Sequence, residues 1–74
     1  MDIENLVKMA NQIGAFFVTM PDYDQASDDL ANHIKRSWEP RMRKALLAHI
    51  ANNDNTGLDP FVLESMSRHL KLLA

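Results

Sequence analysis

The sequence of 74 residues contains no cysteine and no long apolar run. Without cysteine the chain forms no disulfide and offers no thiolate to a metal ion, which is compatible with a reducing compartment. No apolar stretch approaches the roughly 20 residues that a membrane-spanning helix needs. The amino terminus carries Asp2 and Glu4, whereas a secretory signal peptide begins with basic residues. We therefore predict a cytoplasmic protein without a membrane span.

Residues that could build a catalytic or metal site are also scarce. The only two glycines, Gly14 and Gly57, cannot form a phosphate-binding loop, and no serine lies in a nucleophile elbow. The histidines, His33, His49 and His69, fall on three different predicted helices, and none has a second ligand four residues away. A chain of this size also has a small core, so a roomy buried active site is not expected. We predict no catalytic residues and no bound metal or cofactor.

Charge is distributed unevenly along the chain. The formal net charge of −2 argues against a general nucleic-acid binder, which usually carries a basic surplus. Six of the ten acidic residues lie before residue 30. Five of the eight basic residues, in contrast, fall within ten residues of one another, namely Lys35, Arg36, Arg41, Arg43 and Lys44. One short segment therefore carries most of the positive charge.

Apolar residues recur at helical spacing, and no stretch shows the alternation of a strand. We predict an all-α fold, a small compact bundle of four helices that forms a single domain over residues 1–74. The first helix is expected over residues 3–19, with Asp2 as its N-cap and Met1 packed onto Leu6. Pro21 ends it, because the residue before a proline is pushed out of helical geometry.

The remaining helix starts are indicated by capping residues and prolines. Asp22 is placed to cap the second helix, with Gln25 at the capping-box position. Pro40 is typical of a first helical residue and starts the third helix after almost no linker, so the two helices meet at a tight corner. The third helix ends in the turn-forming residues 52–57. Pro60 starts the fourth helix, directly after a candidate N-cap aspartate.

The start of the third helix is electrostatically unusual. Arg41, Arg43 and Lys44 crowd its first turn, where the positive end of the helix dipole disfavours cations by roughly 0.3 to 1 kcal/mol each. A negative group, inside the chain or on a partner, should offset this cost. Trp38, the only tryptophan, precedes the corner and is expected to point into the core.

Three interpretations of these cations remain open. Arg43 projects toward the edge of the core, so it can pair with a carboxylate of the same chain, either Glu39 or an aspartate of the second helix. Arg41 and Lys44 project outward and can meet acidic residues of a partner protein, where the planar arginine side chain suits interface recognition. The third interpretation is anion binding at the helix N-terminus, which the rest of the chain does not support.

Two predicted helices carry more apolar surface than a small bundle requires. On the first helix a second line, beside the core stripe, consists of Met9, Ile13, Phe16 and Met20. The core face of the fourth helix is predicted to be Val62, Leu63, Met66, His69, Leu70 and Leu73. A line facing away from it consists of Phe61, Ser65, Arg68 and Leu72. Either neighbouring helices cover these lines, or the lines dock on another protein.

Much of the chain resembles a known family. The matching features are the opening residues 1–14, Phe17, the Met20-Pro21 step, Ala31, His33, residues 38–43 (Trp-Glu-Pro-Arg-Met-Arg), residues 46–49 (Leu-Leu-Ala-His), Gly57, Leu58 and Pro60. With these features the sequence is similar to the small delta subunit of NAD-dependent formate dehydrogenase. The resemblance covers nearly the whole chain, although the last five residues are not part of it.

The resemblance implies a helical accessory subunit without catalysis of its own. Such a subunit is expected to bind a cytoplasmic, molybdenum-containing formate dehydrogenase at its catalytic subunit and to assist its stability or maturation. The larger subunits would carry the molybdenum cofactor, iron–sulfur clusters, flavin and the NAD site, so this chain would bind no cofactor. Composition and periodicity by themselves indicate only a small helical module with surplus apolar surface and a basic corner.

We therefore predict that the chain acts by binding a partner. The expected interface combines the cations Arg41, Arg43 and Lys44 with the apolar residues Met9, Phe16 and Met20. One alternative is a small DNA-binding regulator that uses the helix after Pro40, although the acidic net charge and the apolar residues 45–51 argue against it. Another alternative is a homodimer that buries the apolar line of the first helix against a second copy.

Overall fold

The computed structural model describes residues 2–74 as an all-helical chain with no strand among them. This confirms the predicted all-α class but corrects the number of helices from four to five. The helices are α1 (Ile3–Phe17), α2 (Tyr23–Ser37), α3 (Pro40–Asn52), α4 (Pro60–Arg68) and α5 (Leu70–Leu73). The additional boundary lies at His69, whose backbone leaves helical geometry with φ −120° and ψ 33°. The predicted contact between Met1 and Leu6 falls outside the described residues.

The first two helices begin at the predicted aspartates. Asp2 accepts a hydrogen bond from the backbone N–H of Glu4 at 3.0 Å, and Asp22 accepts one from that of Gln25 at 3.1 Å. Each carboxylate thus satisfies an N–H that has no partner within the helix and lies favourably at the positive end of the dipole. The side chain of Gln25 does not complete a capping box, because it donates to Asp29 instead, at 2.9 Å.

The first helix ends at Phe17, two residues earlier than predicted. The N–H groups of Thr19 and Met20 donate to the carbonyls of Phe16 and Phe17, each three residues back, and the Thr19 hydroxyl also donates to Phe16, at 2.8 Å. These hydrogen bonds span three residues and wind the backbone more tightly ahead of Pro21 than an α-helix does. The tightening explains the early end, because a helix needs bonds that span four residues.

The core forms where α2 packs against α1, α4 and α5, while α3 packs against α1 and α5. The largest fully buried apolar side chains are Leu30, Ile34, Leu46, Val62, Met66 and Leu73. Trp38, just after α2, is only 4% exposed, which confirms the prediction that it points into the core.

The outward line predicted on the last helix is wrong for two of its four members, whereas Arg68 is exposed as predicted. Phe61 and Ser65 are buried, since α4 lies against both α1 and α2. The ring of Tyr23 meets that of Phe61 edge-on with centroids 5.3 Å apart, and Ser65 Oγ donates to the carbonyl of Ser27 at 2.8 Å. Leu70, predicted to be in the core, is half exposed, because the break at His69 turns the following residues to a new direction.

The loop between α3 and α4 is attached to α1 by one side chain. Asn11 Nδ2 donates to the carbonyl of Gly57 at 3.0 Å, and Asn11 Oδ1 accepts from the N–H of Asp59 at 2.9 Å. Gly57 has φ +79°, a left-handed conformation that glycine adopts without steric cost. The predicted turn region and the helix start at Pro60 are confirmed, but the side chain of Asp59 makes no capping hydrogen bond.

Candidate docking surface at the helix corner

The corner between α2 and α3 is as tight as predicted. Only Trp38 and Glu39 separate the two helices, and Pro40 is the first residue of α3. A proline suits this position because its missing N–H would have no partner inside the helix. Glu39 occupies the N-cap position, yet its side chain makes no capping hydrogen bond and is exposed. The carboxylate nearest in sequence therefore does not cap the basic helix start.

Arg43 lies inside the corner and is 7% exposed. Its Nη1 donates to the carbonyl oxygens of Trp38 at 2.7 Å and Lys35 at 3.1 Å. Its Nε donates to the carbonyl oxygen of Leu73 at 3.1 Å. The expectation that Arg43 pairs with Glu39 or an aspartate of the second helix is therefore wrong, because its partners are three backbone carbonyls.

These carbonyls explain how the chain accommodates a cation in the first turn of α3. Lys35 and Trp38 lie at the C-terminal end of α2, and Leu73 is the last residue of α5. Carbonyls at a helix end lack intrahelical partners and carry partial negative charge. A buried guanidinium that donates to them satisfies these acceptors and offsets its own unfavourable position. For Arg43, the expected negative group is therefore supplied by the carbonyl oxygens at the ends of α2 and α5.

Arg41 and Lys44 differ from Arg43 because both side chains are exposed. Arg36, at the end of α2, is exposed as well. Within residues 2–74 none of these three forms a salt bridge. We call Arg36, Arg41 and Lys44 the basic corner. No carboxylate of the described chain offsets its charge by direct contact.

The salt bridges of the described residues lie at the opposite end of α2. Arg68 contacts Asp24 at 3.2 Å and Glu64 at 3.8 Å. His69 Nε2 lies 2.8 Å from Asp28, and its Nδ1 lies 2.7 Å from the carbonyl oxygen of Ser65, so both ring nitrogens face acceptors. Acidic residues near the start of α2 are thus paired with the C-terminal part of the chain, which leaves the basic corner without them.

Tyr23, the first residue of α2, lies with Asp24 and Glu64, and we call this region the acidic end of the molecule. Its hydroxyl donates to Glu64 at 3.4 Å while its ring packs against Phe61. Loss of hydration raises the pKa of Tyr23 above its ordinary value of 10.0, and the negative charge of Glu64 raises it further. Arg68 acts in the opposite direction and lowers it.

The apolar line of α1 is only half covered by the core. Met9, Ile13 and Met20 are partly buried and pack against it, whereas Phe16 leaves 71% of its surface exposed. The ring of Phe16 packs edge-on against that of Phe17, with centroids 5.3 Å apart. Of the three apolar residues predicted to bind a partner, Phe16 is the one that the fold leaves most accessible.

The histidines lie in separate environments. The ring of His33 lies 5.6 Å from that of Phe17, between centroids. His49 Nε2 donates to the carbonyl of Thr56 at 2.8 Å, and His69 lies beside Asp28. No group of three metal-ligating side chains occurs in the described part of the chain.

An open apolar groove of about 190 Å³ lies between the start of α1, the end of α3 and the loop. Its lining residues are Ile3, Glu4, Val7, His49, Thr56 and Gly57. Small-molecule sites usually exceed about 300 Å³ and contain several converging polar groups. The Nε2 of His49 is already engaged by Thr56. The groove therefore offers little that could orient a substrate.

Comparison with known families adds the decisive observation. The sequence model of one protein family, described as NADH-dependent formate dehydrogenase delta subunit FdsD, matches residues 5–66, which are most of the chain. The chain belongs to the FdsD family. The FdsD match includes the corner, from Trp38 through Arg43, whereas the whole of α5 lies beyond it. No curated protein and no solved structure matches the chain. None of the helices between residues 2 and 74 is long and apolar enough to cross a membrane.

Proposed function

We propose that this chain is a non-catalytic accessory subunit that binds the catalytic subunit of a cytoplasmic NAD-dependent formate dehydrogenase. Membership of the FdsD family supports association with such a complex. The larger subunits would carry the molybdenum cofactor, iron–sulfur clusters and flavin. The role of this chain would be to support the stability or maturation of the catalytic subunit by binding to it.

We infer the mode of binding from the unpaired charge of Arg41 and Lys44. Both are exposed at the positive end of α3, where an isolated cation is unfavourable, and neither forms a salt bridge within residues 2–74. Carboxylates of a partner would relieve this cost and, by long-range attraction, speed association. Phe16, with Met9 and Met20 beside it, would add apolar contact area.

Arg43 has a different role in this proposal. Its guanidinium is buried and engaged by the carbonyls of Lys35, Trp38 and Leu73. It thereby holds the ends of α2 and α5 against the start of α3 and fixes the direction in which Arg41 and Lys44 project. We treat it as a positioning residue rather than as a contact residue.

Co-purification tests the proposal. Tagged wild-type chain should capture the catalytic subunit, and an Arg41→Glu/Lys44→Glu variant should capture much less of it. A Lys8→Glu/Lys71→Glu variant is the matched control, because it makes the same change in net charge at exposed cations outside the corner. Circular dichroism should show that all three proteins are folded. Equal capture by both variants would overturn the role of Arg41 and Lys44, and no capture by the wild type would overturn the proposed function.

A further inference from the structure

One flank of α1 is covered by α4 and by the loop between α3 and α4. Asn11 bonds to Gly57 and Asp59, which attaches the loop along this flank. Further along, Gly14 lies so close to Val62 that a methyl group at its position would collide with the Val62 side chain. Steps of 100° per residue place Met9, Ile13 and Phe16 on the other flank of the helix. That flank therefore faces away from α4.

The other flank leads to α2 through a series of rings. Phe16 packs edge-on against Phe17, with centroids 5.3 Å apart and planes 83° apart. Phe17 in turn lies 5.6 Å from His33 on α2. Phe17 and His33 are half-buried, while Phe16 is exposed. We call Phe16, Phe17 and His33 the aromatic strip.

The aromatic strip continues into the basic corner. Arg36 follows His33 by three residues on α2, a spacing at which side chains are neighbours on a helix surface. Arg36 is exposed and forms no salt bridge with a described residue. On the other side of His33, Asp29 accepts a hydrogen bond from Gln25 and forms no salt bridge with Arg36. The exposed ring of Phe16 is therefore linked through Phe17 and His33 to the unpaired cation Arg36.

We infer that the aromatic strip and the basic corner form one continuous docking surface, with Phe16 as its anchor and Arg36 in its middle. This inference rests on the proposed function. The complementary surface on the catalytic subunit is an apolar pocket that receives Phe16 and carries carboxylates along one edge. Aromatic and arginine side chains are enriched at interfaces, so we expect both parts of the surface to contribute to binding.

Charge argues against a second copy of this chain as the occupant. A twofold dimer buries the same patch of both copies against each other. In a dimer whose twofold axis passes through the middle of this surface, Arg36 of one copy would lie against Arg36 of the other. Repulsion between like charges opposes that arrangement, whereas a partner with carboxylates is attracted.

Binding measurements on single variants test the inference. The probe is the formate dehydrogenase complex purified without its delta subunit, and the full-length chain is titrated against it. We expect Phe16→Ala and Arg36→Glu each to raise the Kd about tenfold or more. Val18→Ala and Lys71→Glu are the matched controls, an exposed apolar residue and an exposed cation outside the surface, and should change Kd less than about twofold.

The outcomes separate the inference from the function on which it rests. Wild-type Kd for both Phe16→Ala and Arg36→Glu, with weakened binding by Arg41→Glu/Lys44→Glu, would overturn the inference and leave the proposed function intact. Absence of binding by the wild-type chain would overturn both. Light scattering after size-exclusion chromatography covers the remaining case. If the wild type is a dimer and Phe16→Ala is a monomer that binds the complex normally, the aromatic strip belongs to a second copy and the inference fails.

Discussion

Arg43 and Leu73 lie 30 residues apart in sequence, yet the Nε of Arg43 donates a hydrogen bond to the carbonyl oxygen of Leu73 at 3.1 Å. The side chain of Leu73 is itself almost fully buried, so the last turn of the chain contributes both to the core and to the corner. A residue within the FdsD match is thus satisfied by a segment outside it. Arg43 therefore depends on the C-terminal turn for one of its three acceptors.

Replacement of Arg43 tests this dependence. We expect Arg43→Met to lower the free energy of unfolding by about 2–3 kcal/mol, because it leaves three carbonyls without their charged donor. Arg41→Met, at an exposed position, should change it by less than about 0.5 kcal/mol. Urea unfolding can be followed by the fluorescence of Trp38 and by circular dichroism. Equal stability of the two variants would contradict the interpretation of Arg43.

The break at His69 makes a specific prediction about two neighbouring leucines. Leu73 is buried, whereas Leu70 is half exposed. Leu73→Ala should cost about 2–5 kcal/mol of stability, as do other truncations of buried leucine. Leu70→Ala should cost less than about 1 kcal/mol, because half of its surface is already in water. If the helix instead ran unbroken through His69, Leu70 would lie on the core face and its truncation would be the costly one. Thermal and urea unfolding of the pair distinguish these cases.

Close packing at Gly14 predicts a loss of stability from a substitution that normally strengthens a helix. Alanine is favoured over glycine inside helices by about 1 kcal/mol. At Gly14, however, the added methyl group would collide with Val62 of α4. We expect Gly14→Ala to destabilise the fold by about 1–3 kcal/mol, as overpacking does elsewhere. Gln12→Ala, an exposed position of the same helix, serves as the control and should be neutral or slightly stabilising. A stabilised Gly14→Ala variant would show that α1 and α4 separate more easily than the structure indicates.

Tyr23, the only tyrosine, gives a direct measure of the acidic end of the molecule. Because the pKa of Tyr23 is raised in the folded chain, the unfolded chain releases this proton first as the pH increases. The contribution to stability is therefore fully present below pH 10.0 and is lost as the pH rises through the folded pKa. Phenolate absorbance near 295 nm should show a midpoint above 10.0, and Glu64→Gln should move it downward. An unchanged midpoint in Glu64→Gln would rule out the influence of this carboxylate.

Several features of the fold follow from local sequence alone. Asp2 and Asp22 are confirmed as N-caps because a carboxylate needs only the N–H groups of the next few residues to act as one. Pro40 and Pro60 start helices because their geometry is set within the residue itself. Trp38 could be assigned to the core because it continues the apolar face of α2.

Other features of the fold depend on contacts between distant segments, so local sequence could not predict them. The partners of Arg43 could not be predicted, because Leu73 reaches it only after the last turn has folded back onto α3. The burial of Phe61 and Ser65 depends on α4 fitting against both α1 and α2, whereas helical periodicity describes a helix in isolation. The end of α1 at Phe17 likewise reflects three-residue hydrogen bonds that the capping rules did not foresee.

Local sequence and composition account for the helical class, the positions of most helix starts, the tight corner at Pro40 and the uneven distribution of charge. Each of these depends on residues close together in the chain or on composition alone. Which of the cations near Pro40 remain available to a partner depends instead on contacts between helices. Arg43 is buried among carbonyls brought from two helix ends, while Arg41 and Lys44 stay exposed, because burial and long-range hydrogen bonding depend on how the helices meet.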